Sequence, residues 1–156
     1  MNSRSKLYLE RAENELNLGT ILFQLSEDNC LQKQFQVSKL DTYYSAVISH
    51  SYYSIFYATK AHLTKKNIKT NAPEEHRKTY EQFKLLVETG VIDLELLKIY
   101  QNAMIKADYL VGILSYEKSK RGRFTYKTLP QANQEPASNS LKNATSFFKH
   151  MTNLCS

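Results

Sequence analysis

Apolar residues in this chain recur every three or four positions and nowhere alternate over the length of a strand, so the pattern predicts an all-α protein. Leu9, Ala12, Leu16, Gly19 and Phe23 form one stripe of a first helix over 5–26, with Arg11, Glu13 and Glu15 turned elsewhere. The polar segment 28–40 reads as a connection. Asp41 then stands where a carboxylate can accept an N–H from the open first turn of a second helix, over 42–66. That helix is apolar on nearly every side. Tyr44, Ile48, Ile55 and His62 share one face, Tyr52, Phe56 and Leu63 another, and Tyr53 and Tyr57 form an edge whose hydroxyls need water or a partner if covered. It is expected at the centre of an antiparallel up-down bundle of four long helices plus a C-terminal one.

Pro73 fits the first turn of a third helix, where its missing N–H removes nothing, and Gly90 suits the left-handed residue just past that helix. Asp93 is placed to cap a fourth, in which Leu97, Tyr100, Met104, Ala107, Val111 and Leu114 keep helical spacing. After Lys120 the pattern lapses until Ser138, which is placed to cap a last helix carrying Leu141, Ala144, Phe148 and Met151 in a narrow seam, with Phe147 and Leu154 alongside. The sequence therefore predicts a single domain over 1–156 with a long basic loop at about 118–137, a length that suggests function or disorder rather than a plain connector.

At 156 residues the chain can bury a core without staples, and its two distant cysteines, Cys30 and Cys155, suit a reducing compartment. The N-terminus lacks a signal-type apolar core, and no stretch approaches the roughly 20 apolar residues of a membrane span. A soluble cytoplasmic protein with no membrane contact is expected. The net charge of +6 favours contact with a polyanion such as RNA through long-range attraction.

One stretch carries more than periodicity. In SHSYYSIFYATKAHLTKKNIKTNAPEEHRKTYEQF, residues 49–83, a helix holding Tyr52, Tyr53, Phe56, Tyr57, Ala58, Ala61 and Leu63 is followed by a basic turn and then His76 at the opening of the next helix. With VETGVID at 87–93 and KADYL at 106–110, this resembles HEPN domains of the small stand-alone bacterial and archaeal branch, over roughly residues 5–115. The resemblance implies a cytoplasmic, homodimeric, RNA-associated protein, often of a defence or toxin–antitoxin type system and often paired with a small nucleotidyltransferase.

Many members of that family are ribonucleases. Their pattern is an Arg, which stabilises phosphate charge, and a His a few residues on, which assists proton transfer at the ribose 2′-hydroxyl. Setting Ala107, Asp108 and Tyr109 on the family triplet puts Met104 in the Arg position and Tyr109 in the His position. Met bears no charge, and Tyr, with a pKa of about 10, is a poor base at neutral pH. The usual ribonuclease site is therefore absent, and Met104, within an apolar stripe, reads as packing. A displaced site would draw on Lys106, Asp108 and His76. His76 itself shares a stripe with Tyr80, Phe83 and Val87 and reads first as a core histidine satisfied by a neighbour.

No His, Cys and carboxylate group has zinc-ligand spacing and no Gly-rich phosphate loop occurs, so neither metal nor cofactor is expected. Lys118, Lys120, Arg121, Arg123 and Lys127 crowd one segment with Phe124 and Tyr126 between them and no acid, a mixture that suits unpaired RNA: cations on phosphates, rings on bases. Lys65, Lys66 and Lys69 form a second basic turn, expected to complement a helix C-terminus. Three functions follow in order: an RNA-associated protein without the usual nuclease site, a helical interaction partner of a small nucleotidyltransferase with Tyr109 as a modifiable hydroxyl, and a metal-independent endoribonuclease with the displaced site.

Overall fold

The computed structural model describes residues 3–38, 41–119 and 134–156, and of 109–119 the backbone alone. The described residues form six helices and no strand: α1 (Ser3–Glu27), α2 (Asn29–Gln34), α3 (Tyr44–Lys65), α4 (Glu75–Glu88), α5 (Leu94–Ser119) and α6 (Gln134–Cys155). None of them is long and apolar enough to cross a membrane.

The helix that is apolar on nearly every side is the central one. α3 packs against α1, α4, α5 and α6 and buries Val47, Ile48, Tyr52, Ile55, Phe56, Ala58, Ala61 and Leu63. Near one end of α3 the Ser5 hydroxyl of α1 donates to the Ala61 carbonyl at 2.7 Å, and near the other Gly19 faces Val47 and His50, so α1 runs antiparallel to α3. Gly19 also faces Leu141 of α6, while Lys65 at the end of α3 donates to the carbonyls of Leu154 and Ser156. α6 therefore runs in the same direction as α3. Lys65 supplies charge at two helix C-termini, its own and that of α6. Tyr100 of α5, Phe83 of α4 and Phe147 of α6 are fully buried and meet ring to ring, with centroids 5.7–6.1 Å apart, where the last three long helices converge on α3.

Two helix boundaries lie where the sequence puts them. The Asp93 carboxylate accepts the Glu95 N–H at 2.8 Å, and Gly90 has φ +74° just past α4, in the region glycine enters most easily. Others move. The segment 28–40 is not plain connection: Asp28 caps α2 by accepting the N–H groups of Cys30 and Leu31. Asp41 turns back to accept the Ser38 N–H at 3.3 Å, and α3 opens two residues later than expected, at Tyr44, because the Ser26 hydroxyl accepts the Tyr43 N–H at 2.8 Å. Pro73 follows a cis peptide bond and stands ahead of α4 rather than inside its first turn, with Glu74 at φ +60° between. α6 begins at Gln134, so Ser138 lies inside it and is not its cap. Pro136 falls in its first turn, where the missing N–H is no loss. With α5 reaching Ser119, the interval expected at 118–137 narrows to 120–133, which lies outside the described residues.

Candidate functional site

Position 76 corrects the expectation of a core histidine. α4 starts against the middle of α3, and its first turn lays the His76 ring flat on Phe56, with centroids 3.9 Å apart and planes 14° from parallel, yet the residue is exposed. Its Nδ1 is 2.7 Å from the hydroxyl of Tyr52. Burial, and then the charge of Asp108, push the Tyr52 hydroxyl above its ordinary range. Burial, and then the nearby Lys60 ammonium, push the His76 pKa down, with Asp108 opposing. Both effects favour the neutral pair at neutral pH, in which Tyr52 donates its O–H to Nδ1 and the imidazole keeps its own proton on Nε2. The geometry makes a fixed, uncharged aromatic surface rather than a charged acid and base.

That surface continues. Tyr53 is 39% exposed and stands edge-on to His76 with centroids 6.0 Å apart; Tyr57, one turn on, stacks on Tyr53 at 6.4 Å, and Tyr8 from α1 stacks on Tyr57 at 6.3 Å. The result is a ribbon of rings, Tyr8, Tyr57, Tyr53 and His76, crossing α1, α3 and the start of α4. Cations flank it. The Arg11 guanidinium lies 5.2 Å from the Tyr57 centroid while donating to Glu15 at 3.3 Å, and Glu15 in turn is 2.7 Å from Nδ1 of His50.

Lys60 lies beneath the far end. Its side chain is only 4% exposed, and its ammonium donates to the Thr70 carbonyl at 3.2 Å, pairs with Glu75 and sits 4.9 Å from the Tyr8 ring centroid. A buried ammonium needs such partners, because desolvation otherwise costs several kcal/mol. Sequence reading passed over Lys60, Tyr8 and Arg11. The signal for Lys60 was present: it is the lone Lys or Arg in the interior of an otherwise uncharged helix, and a charge there needs a built partner.

The predicted site residues separate. Met104 packs partly buried against the main core, which agrees with its reading as packing. Asp108 is exposed and acts electrostatically on both Tyr52 and His76, so those two members of the displaced site share a neighbourhood. The third does not join them: Lys106 donates to the Ser140 hydroxyl of α6 at 3.4 Å. The side chain of Tyr109 and the whole basic set Lys118, Lys120, Arg121, Arg123, Phe124, Tyr126 and Lys127 lie outside the described residues. Among the described residues no group of three His, Cys, Asp or Glu could hold a metal, and both cysteines are thiols, Cys30 exposed and Cys155 buried. No protein-family model matches the chain, and no curated protein matches it at a significant level.

Proposed function

We propose that this chain is a HEPN-like, RNA-associated cytoplasmic protein, homodimeric, without the usual ribonuclease site, in a defence or toxin–antitoxin type system. The observation in its favour is the ribbon Tyr8, Tyr57, Tyr53 and His76, flanked by Arg11, on a chain of net charge +6. Aromatic faces accept any unpaired base, each stacked base contributing about 1–3 kcal/mol, while flanking cations neutralise phosphates. The neutral Tyr52–His76 pair suits such a surface, since it presents a flat imidazole held from behind by Phe56. The Arg and His spacing of the family's ribonucleases does not occur in the sequence, which favours binding over cleavage.

The test is binding of a short single-stranded RNA by wild type and by Tyr53→Ala/Tyr57→Ala, with cleavage followed in EDTA. The expected result is intact RNA, salt-sensitive binding, and an affinity at least about tenfold lower in the double variant. Equal affinities would remove the ribbon from the reading. RNA cleavage abolished by His76→Ala would instead promote the endoribonuclease, although Lys106 is engaged with Ser140.

A second reading, the helical partner of a small nucleotidyltransferase, draws on a different surface. Leu18 and Ile21 are 40% and 54% exposed and lie one turn apart on α1, a small apolar patch of the kind that protein partners cover. Stable co-purification with a transferase that is lost in Leu18→Glu/Ile21→Glu would favour it.

A further inference from the structure

Where the turn between α3 and α4 folds over the start of α1, it encloses a cleft of about 190 Å³. Arg4, Lys60 and Lys69 line it, with Tyr8 as one wall, and no acid is among the lining residues. The other polar lining comes from Thr64, Asn67, Thr70 and Asn71; the Thr70 hydroxyl is held by Thr79 at 2.8 Å, which leaves the amides of Asn67 and Asn71 as the uncharged side chains able to donate to an oxyanion. Bringing three cations to one small cleft is unfavourable unless something offsets the repulsion. Glu75 offsets one charge through its pair with Lys60, which leaves a net of two positive charges facing the cleft.

The geometry points to a binding site for a phosphate monoester in this cleft, held by Arg4 and Lys69 at its mouth and by the field of the buried Lys60 at its floor. A monoester carries about −1.5 to −2 charge at neutral pH and three acceptor oxygens, which matches the uncompensated charge and the donors of Arg4, Lys69, Asn67 and Asn71; a diester, with one charge, matches less well. Arg4 offers a planar fork to two of the oxygens, whereas Lys69 acts as a mobile point charge. Lys60 is already hydrogen-bonded to Thr70 and Glu75, so it holds the turn in place and contributes charge rather than a direct contact. Tyr8 closes one side with a ring on which the sugar or base bearing the phosphate can rest. The monoester could be a free nucleotide or the phosphorylated end of a strand, and because Tyr8 also begins the ribbon, the second source would seat a strand end here and its bases along the rings. The site itself does not depend on RNA binding.

Two measurements test it. In the first, isotope-labelled protein is titrated with adenosine 5′-monophosphate, inorganic phosphate and adenosine, and amide resonances of 64–71 are followed. Saturable shifts with the two phosphates but not with adenosine are expected, with affinity reduced at least about tenfold in Arg4→Ala/Lys69→Ala, since each lost bond involves a charged donor. Both positions are exposed, so the variant is expected to fold, and an unchanged melting temperature checks this. No shift with either phosphate, or shifts unaltered in the variant, would overturn the proposal. In the second, oligonucleotides with 5′-phosphate, 3′-phosphate or hydroxyl ends are compared. A preference for one phosphorylated end that vanishes in Arg4→Ala/Lys69→Ala assigns the site to a strand end; monophosphate binding without end preference assigns it to a free nucleotide. Strand binding that responds to Tyr53→Ala/Tyr57→Ala while neither phosphate binds would refute this site and leave the RNA reading intact.

Discussion

Nδ1 of His76 lies 2.7 Å from the hydroxyl of Tyr52, and this bond, with the Lys60–Glu75 pair beside it, ties the first turn of α4 to α3 while leaving the imidazole at the surface. An apolar stripe on α4 made the same residue look like core. The stripe is buried at Phe83 and half-buried at Tyr80 and Val87, but it does not extend back to the first turn, where His76 is exposed.

Because burial and Lys60 lower the His76 pKa while Asp108 raises it, Asp108→Asn is expected to move the midpoint of the His76 titration further down. A pH series of imidazole resonances measures it. An upward movement would mean that Asp108 does not face the ring.

His62 is 4% exposed, neither of its ring nitrogens has a hydrogen-bond partner among the described residues, and burial, with Lys66 and Lys65 adding to it, pushes its pKa from 6.5 down to about 4. The unfolded chain therefore binds the proton at higher pH than the folded one. The stability associated with a neutral His62 is fully present above pH 6.5 and is lost as pH falls from there towards 4, by up to about 3 kcal/mol. Chemical denaturation between pH 7 and pH 4 should show His62→Leu losing less stability than wild type over that window. Parallel profiles would contradict the assignment.

Tyr100 and Phe83 are both fully buried neighbours, yet their truncations should differ in sign. Phe83→Ala opens a cavity among Tyr100, Phe147 and α3 and is expected to cost about 3–5 kcal/mol. The Tyr100 hydroxyl has no partner among the described residues, so Tyr100→Phe removes an unsatisfied polar atom and should leave stability unchanged or raise it by up to about 1 kcal/mol. Urea denaturation of the two variants decides this; a loss above about 1 kcal/mol in Tyr100→Phe would show that its hydroxyl is paired in solution.

The five cations of 118–127 are tested separately from the ribbon. If they touch phosphate as the strand crosses, replacing Lys120, Arg121 and Arg123 with Ala should flatten the slope of log affinity against log salt by up to about 2 units, at roughly 0.7 per phosphate. Tyr53→Ala/Tyr57→Ala should instead lower affinity with the slope retained. Salt titrations of both variants separate the two contributions, and an unchanged slope in the loop variant would assign the affinity to the ribbon and its own cations.

The sequence by itself determined the helical class, the central position of α3, the stripe of α1, the cap at Asp93 and the left-handed turn at Gly90, because each depends on residues close together in the chain: helical spacing, a carboxylate beside an open turn, a glycine past a last turn. Only the tertiary structure decided the rest. Tyr8 and Tyr57 become neighbours because α1 lies antiparallel on α3; Lys60 acquires Glu75 and Thr70 because the turn after α3 folds back on it; His76 reaches Tyr52 rather than the core because of where α4 begins. Periodicity reports which side of a helix is apolar, but the partner that covers each side, and the residue left at the rim, are set by how helices distant in sequence cross.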